Sequence, residues 1–174
     1  MFERCIFITI VLCTIIRATF ACNGYTLTLH KYGSCIPNGV ITIPNKNSKL
    51  VLDKDCNIIL TGCMEMKAFK TAKGSYVIKK SPLPPMEGDF DLCELATEIP
   101  EEVLPIFDMF GMPKKCPVQN KKICADGKKK ISIAKFKNQI GMAAGNIDLK
   151  LEMTHDTGKT CLEANFSITK PRKG

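Results

Sequence analysis

Apolar and polar positions alternate in two stretches near the C-terminal end of the chain. In residues 147–153 every second side chain is apolar, and in residues 161–168 the even-numbered side chains are apolar. A period of two is typical of a β-strand that buries one face and leaves the other in water. Because turn-forming residues 154–159 separate the two stretches, we predict a β-hairpin at the C-terminus.

Short runs of β-branched and apolar residues recur through the first half of the chain. Glycine, proline and asparagine separate these runs at the spacing expected of turns. Such regular spacing predicts an all-β sandwich or barrel. The runs cover residues 25–29, 40–43, 50–52, 57–60 and 76–78, and a partly alternating run follows at residues 131–136.

Residues 82–117 interrupt this strand pattern. Seven prolines divide the insertion, and residues 89–98 predict a short helix with Asp89 as its cap. Because a long connection in a compact domain is usually functional, we interpret the insertion as a flexible mouth over an apolar cavity. The alternative is that its side chains cover the end of a sheet core. The candidate residues for lining this mouth are Met86, Phe90, Leu92, Leu95, Leu104, Phe107, Met109, Phe110 and Met112.

A separate apolar run lies at the N-terminus, in residues 5–16. It is too short to span a bilayer as a helix, which needs about 20 residues. The run fits a secretory signal, because the small residues Thr19 and Ala21 follow at suitable positions before a cleavage site. We therefore expect a signal peptide over residues 1–21 and one domain over residues 22–174. Cleavage after Ala18 and a buried N-terminal helix are the alternatives.

The cysteine count supports secretion. Eight cysteines follow the expected signal peptide, and an even number in a secreted chain predicts up to four disulfides. A zinc site is disfavoured because the chain has no Cys-x2-Cys pair and only two histidines. We expect neither a metal nor a cofactor. The cysteines concerned are Cys22, Cys35, Cys56, Cys63, Cys93, Cys116, Cys124 and Cys161.

The net charge of +8 comes mainly from lysine. It predicts either a solvated surface or attraction to anionic lipid headgroups. Nucleic acid is not an expected partner, because aromatic residues do not interleave with the basic clusters. No motif gives His155 and Asp156 a catalytic context, so we expect no enzyme activity. The only glycosylation sequon begins at Asn165, on the outward face of its predicted strand.

Four motifs, taken in order, resemble the ML lipid-recognition family, and within it the ganglioside activator protein and its insect-type relatives. They are Leu-Cys-Glu-Leu at residues 92–95, Gly-Met-Pro-Lys-Lys-Cys-Pro-Val at 111–118, Gly-Asn-Ile-Asp-Leu at 145–149 and Gly-Lys-Thr-Cys at 158–161. The likeness is best over about residues 90–170 and loose over residues 22–80. The chain departs from the activator in having no tryptophan and in the placement of its early cysteines.

The resemblance implies an immunoglobulin-like sandwich of two antiparallel sheets that splay around an apolar cavity. It implies a non-enzymatic protein that binds or transfers a lipid or glycolipid, is secreted or lysosomal, and has a membrane surface or a lysosomal hydrolase as a further partner. It also implies a Cys93–Cys116 bond. Cys161 on the last predicted strand should pair with an early cysteine, Cys22 or Cys35.

Two other functional classes remain open from the sequence. One is a secreted cysteine-rich interaction protein with a filled core, such as a salivary or venom effector or an inhibitor. The other is a small secreted hydrolase, which the sequence favours least because it lacks a catalytic motif.

The N-terminal pattern makes a direct prediction about processing. Secreted protein should begin at Cys22, or at Thr19 if the signal is cut after Ala18, because the apolar run and its small flanking residues suit signal peptidase. Edman sequencing of material collected from the medium measures the first residue. Recovery of protein that starts at Met1 would contradict the signal-peptide assignment.

Overall fold

The computed structural model describes residues 22–44, 48–95, 97, 104, 108 and 115–170. Over these ranges the long elements are strands, and no helix is long and apolar enough to cross a membrane. The strands are β1 (Thr26–Ser34), β2 (Ile41–Thr42), β3 (Lys49–Leu52), β4 (Asn57–Met66), β5 (Ala72–Lys79), β6 (Met86–Asp91), β7 (Lys121–Ser132), β8 (Gly145–His155) and β9 (Gly158–Thr169). The α-helix α1 spans Leu92–Leu95, and 3₁₀ turns lie at Cys22–Gly24, Ala134–Phe136 and Ile140–Ala143.

The strands form two antiparallel sheets, so the predicted all-β sandwich is confirmed. The five-stranded sheet has the order β1-β9-β8-β5-β6. In the four-stranded sheet β4 is central, with β7 along one side and β2 and β3 along the other. The predicted C-terminal hairpin is also confirmed, because β8 and β9 pair along their whole length up to His155 and Gly158.

The start of the predicted insertion is wrong in the sequence analysis. Residues 86–91 form β6, the edge strand that pairs with β5, because three acidic side chains alternate with glycine and phenylalanine along it. The helix is shorter than predicted and begins only at Leu92. Its cap is Asp91 rather than Asp89: the Asp91 Oδ1 atom accepts hydrogen bonds from the backbone N–H groups of Cys93 at 2.9 Å and Glu94 at 3.3 Å.

Strand β7 also differs from its prediction. It begins at Lys121, ten residues before the apolar run, and includes a stretch dominated by lysine. β7 pairs with β4 at the edge of its sheet, where lysine discourages association with another sheet. After Ser132 the chain leaves the sheet and turns at Ala134–Phe136, so the predicted run 131–136 is only partly a strand.

Four disulfides join the sandwich. The Cys93–Cys116 bond is the one that the resemblance implies, and it closes the base of the insertion. Of the two partners considered for Cys161, the structure pairs it with Cys35, across a sequence separation of 126 residues. In the chain-entropy model a bridge over so long a loop stabilises the fold by about 5 kcal/mol. The other two bonds are Cys22–Cys56 and Cys63–Cys124.

The buried apolar side chains gather at the two ends of the sandwich. One cluster lies where β5 begins and β8 ends, and its members are Val40, Ile41, Met66, Phe69, Ala72, Leu92, Val118 and Met153. A second cluster lies where β1 begins and β9 ends, around the Cys22–Cys56 bond, Leu52 and Ile140. A third, smaller cluster joins Leu60 and Ile131 on the four-stranded sheet.

The first cluster includes a buried histidine contact. The His155 ring lies 4.5 Å from the Phe69 ring, and its Nε2 atom is 2.9 Å from the Thr160 hydroxyl. Burial lowers the pKa of His155, and the Asp156 carboxylate and the backbone of Thr71 offset this only in part. Protonating this side chain therefore opposes folding.

The lowered pKa of His155 predicts a pH-dependent stability. Below about pH 6.5 the unfolded chain binds a proton at this histidine more readily than the folded chain does. The free energy of unfolding should therefore decrease as the pH is lowered, by at most about 1.4 kcal/mol per pH unit. Denaturant unfolding between about pH 7.5 and 5 measures the slope. His155→Gln should flatten it, while His30→Gln, at an exposed position, is the matched control. Equal slopes in both variants would contradict the assignment.

Candidate functional site

The middle of the five-stranded sheet carries apolar side chains on its inner face. Register places them together, since directly opposed residues share a face: Phe166 lies opposite Ile147, and Ala164 lies opposite Leu149. Each is only half-buried, and none belongs to the three core clusters described above. The full set, which we call the interior row, is Leu29, Tyr32, Tyr76, Ile78, Ile147, Leu149, Ala164 and Phe166.

The outer face of the same sheet is polar, so the interior row is not a solvent-facing surface. Lys31 and Glu163 form an ion pair of 2.7 Å there, and Asn165 donates a hydrogen bond to Asp148. Asn165 therefore faces outward, as its position in the alternating pattern predicts. The apolar side chains that remain half-buried are those aimed at the space between the sheets.

The two sheets approach each other most closely along one edge. Strand β1 of the five-stranded sheet is nearest to β3 of the other sheet, and β9 is nearest to β2. Strands β6 and β7 lie at the other edges, and the insertion connects them. The interior row therefore lies between the edge where the sheets approach each other and the edge formed by β6 and β7.

Tyr32 is the polar member of the interior row that burial affects most. Burial raises the pKa of its hydroxyl to about 12, so the group stays protonated over the physiological range. No described residue forms a hydrogen bond with this hydroxyl. A neutral donor is thus available beside an apolar surface.

Two aromatic rings of β5 and β6 each pack over a glycine of the neighbouring strand. Gly74 lies opposite Phe90, and Tyr76 lies opposite Gly88. A Cβ atom on Gly88 would come within 2.8 Å of the Tyr76 hydroxyl oxygen, and one on Gly74 within 3.0 Å of the Phe90 ring. Each ring therefore lies over a position that must lack a side chain, which fixes where Phe90 meets the first core cluster.

The structure separates the sequence-predicted lipid contacts. Phe90 is half-buried against the first core cluster, Leu92 is a buried member of it, and Leu95 is 46% exposed. Leu104 is half-buried. Met86 is 53% exposed at the start of β6, a strand length away from the helix α1. The remaining four, Phe107, Met109, Phe110 and Met112, lie outside the described residues.

A small pocket marks where the insertion meets β7. Its volume is about 300 Å³, and Leu60, Ile123 and Ala125 form its apolar part. The backbone oxygen of Asp108 accepts a hydrogen bond from Lys129 Nζ at 3.4 Å. One residue of the insertion thus contacts the inner side of the four-stranded sheet.

Another concave surface lies on the opposite side of the five-stranded sheet. It has a volume of about 870 Å³, and charged side chains such as Lys73, Asp89 and Glu152 line it. Among the described residues no group of three or more side chains could hold a metal ion. This charged surface is not the apolar cavity that the resemblance implies.

The interior row was not predicted as a site from the sequence. The alternation of residues 147–153 and 161–168 did predict which side chains face inward. It carried no signal that Leu149 and Phe166 would stay half-buried, while Met153 on the same face of β8 is buried. The fold and its disulfides define a disulfide-bonded β-sandwich protein with an incompletely covered apolar interior.

Comparison with known proteins places this sandwich in a family. No protein-family model matches the chain. The chain is 30% identical over 165 residues to the Sporozoite-associated mosquito saliva protein 1 of Anopheles gambiae, a match that covers 93% of this chain and 91% of that protein. The chain therefore belongs to the family of that saliva protein, and it is a secreted protein.

The close packing at these glycines predicts that two glycine-to-alanine substitutions differ in their effect on stability. Gly74→Ala should destabilise the fold by about 1–3 kcal/mol, because the new Cβ would overlap the Glu152 carbonyl oxygen and crowd Phe90. Gly33→Ala is the matched control, since a Cβ on Gly33 meets nothing within 4 Å. Denaturant unfolding measures both changes. Equal stability of the two variants would show that the close packing at Gly74 imposes no constraint.

Proposed function

We propose that the protein binds the hydrocarbon part of a lipid or glycolipid between its two sheets. The observation that supports this is the interior row: inward-facing apolar side chains remain half-buried between core clusters at both ends of the sandwich. The free energy of the system is lowered when a hydrocarbon chain covers apolar surface that the protein leaves uncovered on its inner side.

The energy available is sufficient for useful affinity. Burying one CH2 group is worth about 0.8 kcal/mol, so a chain of roughly 14 such groups offers about 11 kcal/mol before the costs of association. Within the interior row the Tyr32 hydroxyl is a neutral donor that suits an ester, amide or hydroxyl of the bound lipid. The resemblance to the ML family points to the same class of ligand.

The insertion is our candidate for the entrance. It connects β6 to β7 along the chain, and the Cys93–Cys116 bond holds its base beside the first core cluster. The buried Leu92 and the half-buried Phe90 anchor that base, whereas Leu95 is free to contact a lipid. We propose binding or transfer without catalysis, since His155 packs in a core cluster and His30 bonds to Ser167.

The relative indicates the compartment in which the proposed lipid binding would take place. It is a saliva protein, so an extracellular lipid carrier is favoured over a lysosomal partner of a hydrolase. Its name also associates it with sporozoites, which supports a second candidate: a secreted interaction protein whose interior takes no lipid.

A paired enlargement of two alanines distinguishes these candidates. Ala164 lies in the half-buried interior row, whereas Ala72 is 0% exposed within the first core cluster. If a lipid occupies the space beside the interior row, Ala164→Phe should keep the stability of the fold and reduce uptake of a fluorescent fatty acid or glycolipid by tenfold or more. Ala72→Phe should destabilise by about 1–3 kcal/mol or more, because it overfills a packed core.

Thermal unfolding and probe titration of each variant give the two readings. Mass spectrometry of lipid extracted from the purified wild type adds an independent one. Wild-type protein that carries no lipid and takes up neither probe, with Ala164→Phe as destabilising as Ala72→Phe, would leave the secreted interaction protein as the function.

A further inference from the structure

Exposed apolar side chains are concentrated at one end of the sandwich. Among the described residues the large hydrophobic side chains with high exposure are Val51, Leu83, Met86, Leu95, Phe136 and Met142. Four of these lie on two connections, the β5–β6 hairpin and the segment between β7 and β8. Met142 is the most exposed, at 72%.

The register of the sheets places both connections at the same end. Lys79, at the end of β5, lies opposite Asp148 near the start of β8, so the β5–β6 hairpin projects beside the chain that enters β8. Strand β7 ends at Ser132, opposite Asn57 at the start of β4. This is the end of the second core cluster, and α1 lies at the opposite end of β6.

The charges on these two connections have one sign. Residues 79–86 and 134–144 contain lysine but no aspartate or glutamate. Lys79, Lys80, Lys135 and Lys137 form no ion pair with any described residue, whereas Lys122, Lys128 and Lys130 elsewhere pair with acidic side chains. We call the surface formed by Lys79, Lys80, Leu83, Met86, Lys135, Phe136, Lys137 and Met142 the basic end.

The segment that carries Phe136 and Met142 is held in place. Ile140 is a buried member of the second core cluster, and the Asn23 side chain donates a hydrogen bond of 3.1 Å to the Lys137 carbonyl oxygen. Because its neighbours are anchored, the exposed Met142 side chain is presented by a fixed backbone and not by a free loop. A fixed backbone keeps these apolar groups exposed to water. Their transfer into another apolar phase would lower the free energy, as is typical of an interaction site.

We propose that the basic end docks onto the surface of an anionic lipid bilayer. Leu83, Phe136 and Met142 would enter the boundary between headgroups and acyl chains, while the surrounding lysines contact anionic headgroups. The pairing of projecting apolar side chains with the lysines of two connections that contain no acidic residue selects this occupant over a neutral surface. Docking does not need the interior row, so it can be tested apart from lipid uptake.

Vesicle sedimentation of the secreted protein tests the proposal. Wild type should bind vesicles of mixed phosphatidylcholine and phosphatidylserine, bind pure phosphatidylcholine at least tenfold more weakly, and lose affinity as salt is raised. Leu83→Ser/Met142→Ser should reduce binding tenfold or more at any salt concentration. A fourfold Lys→Gln variant of the basic end should also lose at least tenfold, since each lysine near the surface is worth about fivefold; its substitutions are Lys79→Gln, Lys80→Gln, Lys135→Gln and Lys137→Gln.

A charge-matched control variant removes four exposed lysines at the opposite end of the sandwich. It should keep most of the vesicle binding if orientation matters, and it consists of Lys67→Gln, Lys70→Gln, Lys121→Gln and Lys159→Gln. Equal losses in the two fourfold variants would overturn the proposal in favour of unspecific attraction. So would equal binding to both vesicle types, or a concentration-dependent dimer that Leu83→Ser/Met142→Ser abolishes.

Two cross-checks keep this proposal separate from the proposed function. Ala164→Phe should leave vesicle sedimentation unchanged, and the variants of the basic end should leave probe uptake in vesicle-free solution unchanged. Loss of vesicle binding in Ala164→Phe would overturn docking by the basic end alone.

Discussion

The rest of the structure depends on how the two sheets are held at their ends. At one end the Cys22–Cys56 bond is part of an apolar cluster with Leu52 and Ile140. At the other end the Cys93–Cys116 bond packs against a larger cluster around Phe69. Apolar packing and covalent bonds therefore coincide where the sheets are joined. The strands between the ends need not meet across the interior to keep the fold closed.

This arrangement explains why one sandwich can have both a stable core and an uncovered interior. In a fully packed sandwich, side chains of both inner faces interdigitate along the whole strand. Here β8 passes from half-buried Ile147 and Leu149 to buried Met153 without a change in its alternating pattern. The difference in burial follows from position along the strand, because only the last residues reach the packed end. The lipid chain that we propose as its occupant needs no defined partner geometry.

Charge is distributed unevenly over the same framework. The acidic side chains of β6 lie beside a charged concave surface outside the five-stranded sheet, whereas residues 79–86 and 134–144 at the end of the second core cluster carry lysine and no acidic side chain. Lysines on β7 are paired with acidic neighbours such as Glu65 and Asp53. The net charge of +8 is therefore distributed unevenly over the surface, and this distribution matters more for binding a partner than the total charge does.

Local patterns in the sequence determined much of this protein. Alternation predicted the β8–β9 hairpin and its inward face, and the even number of cysteines after the apolar N-terminal run indicated a disulfide-bonded, secreted chain. Residues 86–91 and 121–130 escaped prediction, because glycine and lysine conceal the period of edge strands whose register is set by a neighbour. The pairing of Cys161 with Cys35, the burial of Leu92, the half-burial of Phe166 and the placement of two distant connections at one end of the sandwich were decided by tertiary structure. Each depends on the distance between segments far apart in the chain, and no local pattern of residues encodes that distance.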